Sequence, residues 1–155
     1  MARKPEGELR RGWTTGACAA AGAKAAYTAL LTDAFPDPVQ ITLPRGETPS
    51  FALTREGKTE NGAFAAIIKD AGDDPDVTHG ALIRVDIAAA APGEGVVFRA
   101  GDGVGTVTRE GLPLPVGEPA INPMPRKMIR QAIDEVAAAH GAAGDAVVTV
   151  SVDGG

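Results

Sequence analysis

Residues 69–80, K-D-A-G-D-D-P-D-V-T-H-G, place four aspartates and one of the chain's two histidines directly after the apolar run 64–68. Asp70, Asp73, Asp74 and Asp76 repel one another unless they are solvated, share protons, or face a cation or polar ligand. Aspartate also suits turns for its own reason, since its side chain bonds nearby backbone amides, and Gly72 and Pro75 punctuate the segment. Two readings therefore stand on the residues alone. One is a solvated turn; the other is a site loop in which Asp73, Asp74 and His79 move protons or hydrogen-bond a polar substrate. Asp73, Asp74, Asp76 and His79 are ordinary metal ligands in type, but their spacing matches no standard calcium loop, so no metal site is assigned.

Three further stretches carry chemistry. In R-R-G-W-T-T-G-A-C, residues 10–18, Arg10 and Arg11 precede Thr14, Thr15 and Gly16 at an expected helix start. Backbone amides there, with two hydroxyls and two guanidiniums, suit a carboxylate or phosphate; a threonine cap with surface arginines is the simpler reading. Cys18, one turn in, reads as a small packing residue rather than a nucleophile. In A-G-D-G-V-G-T, residues 100–106, Gly101, Asp102, Gly103 and Gly105 could let backbone approach a ligand closely. Dinucleotide and methyl-donor loops join a strand to a helix, whereas strand-like residues follow here, which favours a tight β-turn. In N-P-M-P-R-K-M-I-R, residues 122–130, Arg126, Lys127 and Arg130 fall in the first turns of an expected helix. The macrodipole is already positive there, so an anionic ligand or acidic loops would offset the cations, unless solvent alone does so.

The elements that must hold these residues follow from spacing. Alanine density and the threonines predict a helix over 14–31, broken by F-P-D-P at 35–38. Alternation at 39–43 and a second strand at 50–54 predict a hairpin around Gly46; an apolar run at 63–69 and alternation at 81–90 then predict strands flanking the aspartate segment. Short strands are expected at 96–99 and 104–108. A proline-rich ordered stretch at 112–125 leads to a second helix, with Pro125 in its first turn, apolar residues at helical spacing from Met128 to Ala137, and an end at His140 and Gly141. A last strand spans 146–152. Helix, strands, helix, strand is not the alternation of a doubly wound sheet. The expected fold is α+β, a mixed β-sheet with two main helices, not a classical Rossmann methyltransferase domain. Residues 1–9 read as a flexible lead-in and 10–155 as a single domain; ending just after an apolar strand fits the N-terminal domain of a longer enzyme.

Composition narrows the classes. With 44% hydrophobic but only 4% aromatic residues, and 20 Gly and 12 Pro, the core must be made of Ala, Val, Ile and Leu between many turns. A net charge of −5 and few aromatics argue against nucleic-acid binding. A single cysteine allows no internal disulfide and fits a cytoplasmic setting. No stretch has the length of a membrane span.

Read together and in order, R-R-G-W-T-T-G-A-C-A-A-A, K-D-A-G-D-D-P-D-V-T-H-G, G-D-G-V-G-T-V-T and L-P-V-G-E-P-A-I-N-P-M-P-R-K-M-I strongly resemble the cobalt-precorrin-5B C(1)-methyltransferase family, often called CbiD. The resemblance spans residues 9–129. It implies transfer of a methyl group from S-adenosylmethionine to C-1 of a ring-contracted tetrapyrrole in vitamin B12 construction, with cobalt present only as part of the substrate. The substrate's acetate and propionate carboxylates would then meet Arg10, Arg11, Thr14, Thr15, Gly16, Arg126, Lys127 and Arg130. Asp73, Asp74 and His79 become candidates for proton handling, and Gly101, Asp102, Gly103 and Gly105 for the methyl donor. Family members continue past the last strand into a second region expected to bind that donor, and homo-oligomerisation is left open. The rival readings are a non-catalytic tetrapyrrole or anion module, and a metal-dependent phosphoryl-transfer or hydrolase domain.

Overall fold

The computed structural model describes residues 14–69, 80–104, 119 and 121–153. Its elements are α1 (Thr15–Thr32), β1 (Val39–Gln40), β2 (Ser50–Phe51), β3 (Arg55–Lys58), β4 (Gly62–Ile68), β5 (Leu82–Ala89), β6 (Val96–Ala100), α2 (Pro123–His140) and β7 (Ala146–Asp153). Five strands form one sheet in the order β3-β4-β5-β7-β6, and β1 and β2 form a separate antiparallel pair. All pairings in the larger sheet are antiparallel except β6 with β7. That parallel pair requires a crossover, and α2 lies within it. The expected α+β architecture, a mixed sheet with two main helices, is the one observed.

The helix α1 is made of small residues and is buried nearly all round, from Gly16 to Ala23 and at Ala25, Ala26, Tyr27 and Ala29. A helix with so little side chain approaches its neighbours closely: a Cβ on Gly22 would stand 3.0 Å from Val85 Cγ2 of β5. Its end is fixed by Asp33, whose φ of 63° is the left-handed conformation that Asp tolerates better than most residues, and whose N–H reaches Ala29 O at 2.7 Å. The Lys58 ammonium at the end of β3 bonds the Asp33 carboxylate and holds its pKa below the usual range.

By contrast α2 is amphipathic, burying Ile129, Ala132, Ile133, Val136 and Ala137 along one stripe and ending at Gly141 with φ 67°. The two helices run side by side in the same direction: Gly16 meets Pro125 near their starts, and farther along Lys24 Nζ lies 3.8 Å from Glu135 Oε1. One contiguous buried cluster joins both helices to Ala63, Ala65, Ile67, Ile83, Val85, Ile87, Val148 and Val150 on the facing side of the sheet.

Three expectations are corrected. The hairpin pairs only at Val39–Phe51 and Gln40–Ser50, although backbone bonds from Ile41 to Pro49 O and from Leu43 to Glu47 O continue it toward Gly46. Pro44 and Pro49 have no N–H for a longer ladder. The strand β3 was not expected, because R-E-G-K lacks apolar alternation; it is an edge strand paired only to β4, where charge is tolerated. Val104 lies in no strand but closes a turn, its N–H bonding Gly101 O at 3.2 Å. The rest of the strand expected at 104–108 is outside the described residues. No described helix is long and apolar enough to cross a membrane.

Candidate functional site

Sheet register gathers the motifs at one end. Ile68 at the end of β4 pairs with Leu82 at the start of β5, Leu82 pairs with Asp153 at the end of β7, and Ala100 at the end of β6 pairs with Val150. Both helices begin at this end. A cavity of about 270 Å³ sits there, rimmed by Thr15 and Gly16 of α1, Gly103, and Asn122 and Pro125 at the start of α2. Its inner wall is apolar, from Ile121, Ile129, Val150 and Val152. Three of the four stretches read from the sequence thus share one cavity. The fourth begins and finishes at the same end: Lys69 N–H bonds Ala81 O at 2.7 Å, and Gly80 N–H bonds Lys69 O at 2.9 Å. Asp73, Asp74 and His79 themselves lie outside the described residues, as do Arg10, Arg11 and Gly105.

The two helix starts offer the cavity different chemistry. Thr14 caps α1, its Oγ1 accepting from Ala17 N at 3.0 Å, so this hydroxyl is committed to the helix as the simpler reading held. Thr15 and Gly16 are the first two helical residues, whose amides have no acceptor within the helix, and both reach the cavity. At α2 the donors are depleted. Pro123 and Pro125 have no N–H, and Arg126 N–H is bonded to Asn122 O at 3.2 Å. Neither first turn carries an acidic residue, so the positive end of each macrodipole is uncompensated by its own helix.

The three cations of α2 separate. Arg126 is only 8% exposed: its Nε donates to Ile121 O and its Nη2 to Pro119 O, both at 2.7 Å, and its guanidinium lies 5.1 Å from the Phe98 ring centroid. It therefore holds the cavity wall at Ile121, and its expected part as a carboxylate anchor is replaced by this structural one. The signal was present in the sequence, because Arg126 precedes Ile129 and Ile133 on the same helical stripe. Arg130 is exposed, 5.0 Å from the same Phe98 ring, and with Lys127 it lines a shallow depression shared with Asp134 and Glu135, apart from the cavity.

The glycine turn is explained by packing. A Cβ on Gly101 would come within 2.1 Å of Ser151 Oγ, and one on Gly103, with φ 77°, within 1.9 Å of Val152 O. Gly101 N–H bonds Val150 O and Val152 N–H bonds Asp102 O, each at 2.8 Å, so the turn is laced to β7. These glycines make room for β7, and Gly103 also rims the cavity. The described lining also fits a methyl donor such as S-adenosylmethionine poorly. Its described polar side chains are Thr15 and Asn122, with no carboxylate for a ribose diol or a sulfonium. Sequence reasoning missed Ile121, Val150 and Val152 as cavity wall, since only the tertiary fold brings them together. Among the described residues no group of three or more His, Cys, Asp or Glu is placed to hold a metal ion.

Comparison with known proteins places this architecture among cobalamin-biosynthesis proteins. A crystal structure of the cobalamin biosynthesis protein CbiD from Archaeoglobus fulgidus superposes with a TM-score of 0.67 at 26% identity, over 93% of this chain and 44% of that one. The CbiD family model matches residues 2–155, and the chain belongs to the CbiD family. A Brucella anthropi protein named cobalt-precorrin-5B C(1)-methyltransferase is 61% identical over 148 residues, which are 96% of this chain and 40% of the relative. A Brucella ovis protein of the same name is 59% identical over 99% of this chain and 42% of the relative. The chain thus spans about two fifths of the curated relatives it matches.

Proposed function

We propose that the chain forms the tetrapyrrole-side part of an S-adenosylmethionine-dependent methyltransferase. The reaction methylates C-1 of precorrin-5B, with or without cobalt in the ring, in cobalamin biosynthesis. A cytoplasmic setting suits such a pathway enzyme. The observation that carries this reading is the meeting of three family-like motifs around one cavity, in a chain 61% identical to a protein named for that reaction. The cavity has the scale of a carboxylate arm of the substrate, not of the macrocycle. The amides of Thr15 and Gly16 and the Thr15 hydroxyl receive that carboxylate, with each charge-assisted bond contributing roughly 1.5–3 kcal/mol. Arg10 and Arg11, preceding this helix start, and Lys127 and Arg130, on the exposed side of α2, supply positive charge for the remaining carboxylates. Asp73, Asp74 and His79 handle the protons that bond formation at C-1 displaces. The methyl donor is assigned to polypeptide beyond the described residues.

The test uses the longer polypeptide with a labelled methyl donor and the precorrin substrate. Thr15→Val, which keeps side-chain volume and removes the hydroxyl, is expected to raise KM for the tetrapyrrole about tenfold while changing kcat little, as loss of one charge-assisted bond requires. An unchanged KM in the folded variant removes the cavity from substrate binding.

A further inference from the structure

The sheet has a second face, and among the described residues neither helix covers it. In β5 and β7 burial alternates, with Ile83, Val85, Ile87, Val148 and Val150 turned to the helices and Leu82, Arg84, Asp86, Thr149 and Ser151 turned away. Antiparallel sheets commonly leave one face to water, but that face is then polar. Here the register adds Phe64, Ile68, Val97 and Val147 to it, and Ile68 is 48% exposed. The Arg84 guanidinium is already set in place, bonding Asp86 through Nε at 2.8 Å and Nη2 at 3.0 Å and lying 3.8 Å over the Phe64 ring. Arg84 and Asp86 neutralise each other, and Arg55, Arg99, Asp102 and Asp153 lie around them with the apolar side chains between.

We infer that this open face is the surface on which the remaining polypeptide of a full-length CbiD-family protein docks, in the same chain. Three observations select that occupant. The chain spans only 40–42% of its curated relatives and 44% of the solved CbiD chain, so most of such a protein lies elsewhere. Asp153, the last described residue of β7, lines a depression of about 610 Å³ on this face with Arg55, Arg84 and Asp86, so β7 ends at it. The charges on this face, Arg55, Arg84 and Arg99 with Asp86, Asp102 and Asp153, are of both signs, so no single-sign field steers a free partner, and a tethered one needs none because its effective concentration is already high. The inference rests on family membership and is independent of what the cavity binds.

Cysteine reactivity tests it against a clean background, since Cys18 is the chain's one cysteine and is buried. Ile68→Cys and Thr149→Cys on the open face, and Ala138→Cys on the exposed side of α2 as reference, are made separately in the 155-residue chain. The same changes are made in a chimaera in which this chain replaces the matched segment of the Brucella anthropi relative, and in that relative itself should the chimaera misfold. Maleimide labelling is followed site by site by peptide mass. The open-face cysteines are expected to react at least about tenfold more slowly in the longer polypeptides than in the 155-residue chain, with the reference unchanged. Labelling in the longer polypeptides as fast as at the reference overturns the inference. Protection that appears in the 155-residue chain and grows with its concentration also overturns it, because the occupant is then a second copy.

Discussion

At the start of α1, Thr14 lends its hydroxyl to the Ala17 amide, and Thr15 and Gly16, whose amides have no acceptor within the helix, line the cavity; at the start of α2, Asn122 makes no side-chain cap bond and two prolines remove donors. The helices begin side by side, yet one start is built from backbone donors and the other from a buried side chain. Arg126 does for α2 what capping does for α1, by fastening the incoming segment through the carbonyls of Pro119 and Ile121. The difference teaches where each start is vulnerable. A donor-rich start tolerates loss of its cap as a local matter, whereas a start fastened by one guanidinium depends on that group.

The largest effect is therefore expected at Arg126. In Arg126→Met the stem still packs near Phe98, but the Ile121 carbonyl loses its donor in a buried bond, while the Pro119 carbonyl keeps only the Ile121 N–H. Leaving a buried acceptor without a partner costs roughly 1–3 kcal/mol and the second lost bond adds to it, so urea titration should show a loss of about 3 kcal/mol. Arg130→Met, at an exposed site beside the same ring, should stay within about 0.5 kcal/mol. Equal losses in the two variants would abolish the distinction between a buried fastening and a solvated cation. Next in size is the contact between the two starts. A Cβ on Gly16 would stand 3.0 Å from Pro125 Cγ and 3.4 Å from its Cα, so Gly16→Val must push the helices apart at the cavity rim. Overpacking of this kind costs about 2 kcal/mol, read as a fall in Tm of several degrees, and a neutral result would mean that the starts are not in close register.

These two positions also show what could be read in the sequence. Alanine density and Thr14 located α1, an apolar run located β4, alternation located β5 and β7, and Pro125 and Gly141 bracketed α2, because each of those signals acts within a few residues of chain. Arg126 was misread because its charge outweighed its place on the apolar stripe, and a helical stripe alone does not say what acceptors await a buried cation. The glycines at 101 and 103 looked like room for a ligand; only the parallel pairing of β6 with β7, fifty residues later in the chain, shows that the room is filled by Ser151 and Val152. The edge strand β3 has no apolar signature, since its side chains are largely exposed and its pairing with β4 is carried by backbone. Local chemistry was legible, and chemistry set by contacts across the fold was not.

The smallest effects separate the two caps themselves. Thr14→Ala removes the 3.0 Å bond to the Ala17 amide and leaves a third amide of α1 without an acceptor in the helix, a change typically worth about 1 kcal/mol. Asn122→Ala removes a side chain that makes no cap bond, at a helix whose first and third residues have no N–H to satisfy, so its cost should be under about 0.5 kcal/mol. Asparagine ranks at least as high as threonine at N-caps in general, so propensity alone predicts that Asn122→Ala is the costlier change. Measuring both in one denaturant series decides between propensity and the geometry of these two starts. If Asn122→Ala proves as damaging as Thr14→Ala, its amide must accept the Met124 N–H or hold a ligand at the rim, and the two helix starts would then resemble each other after all.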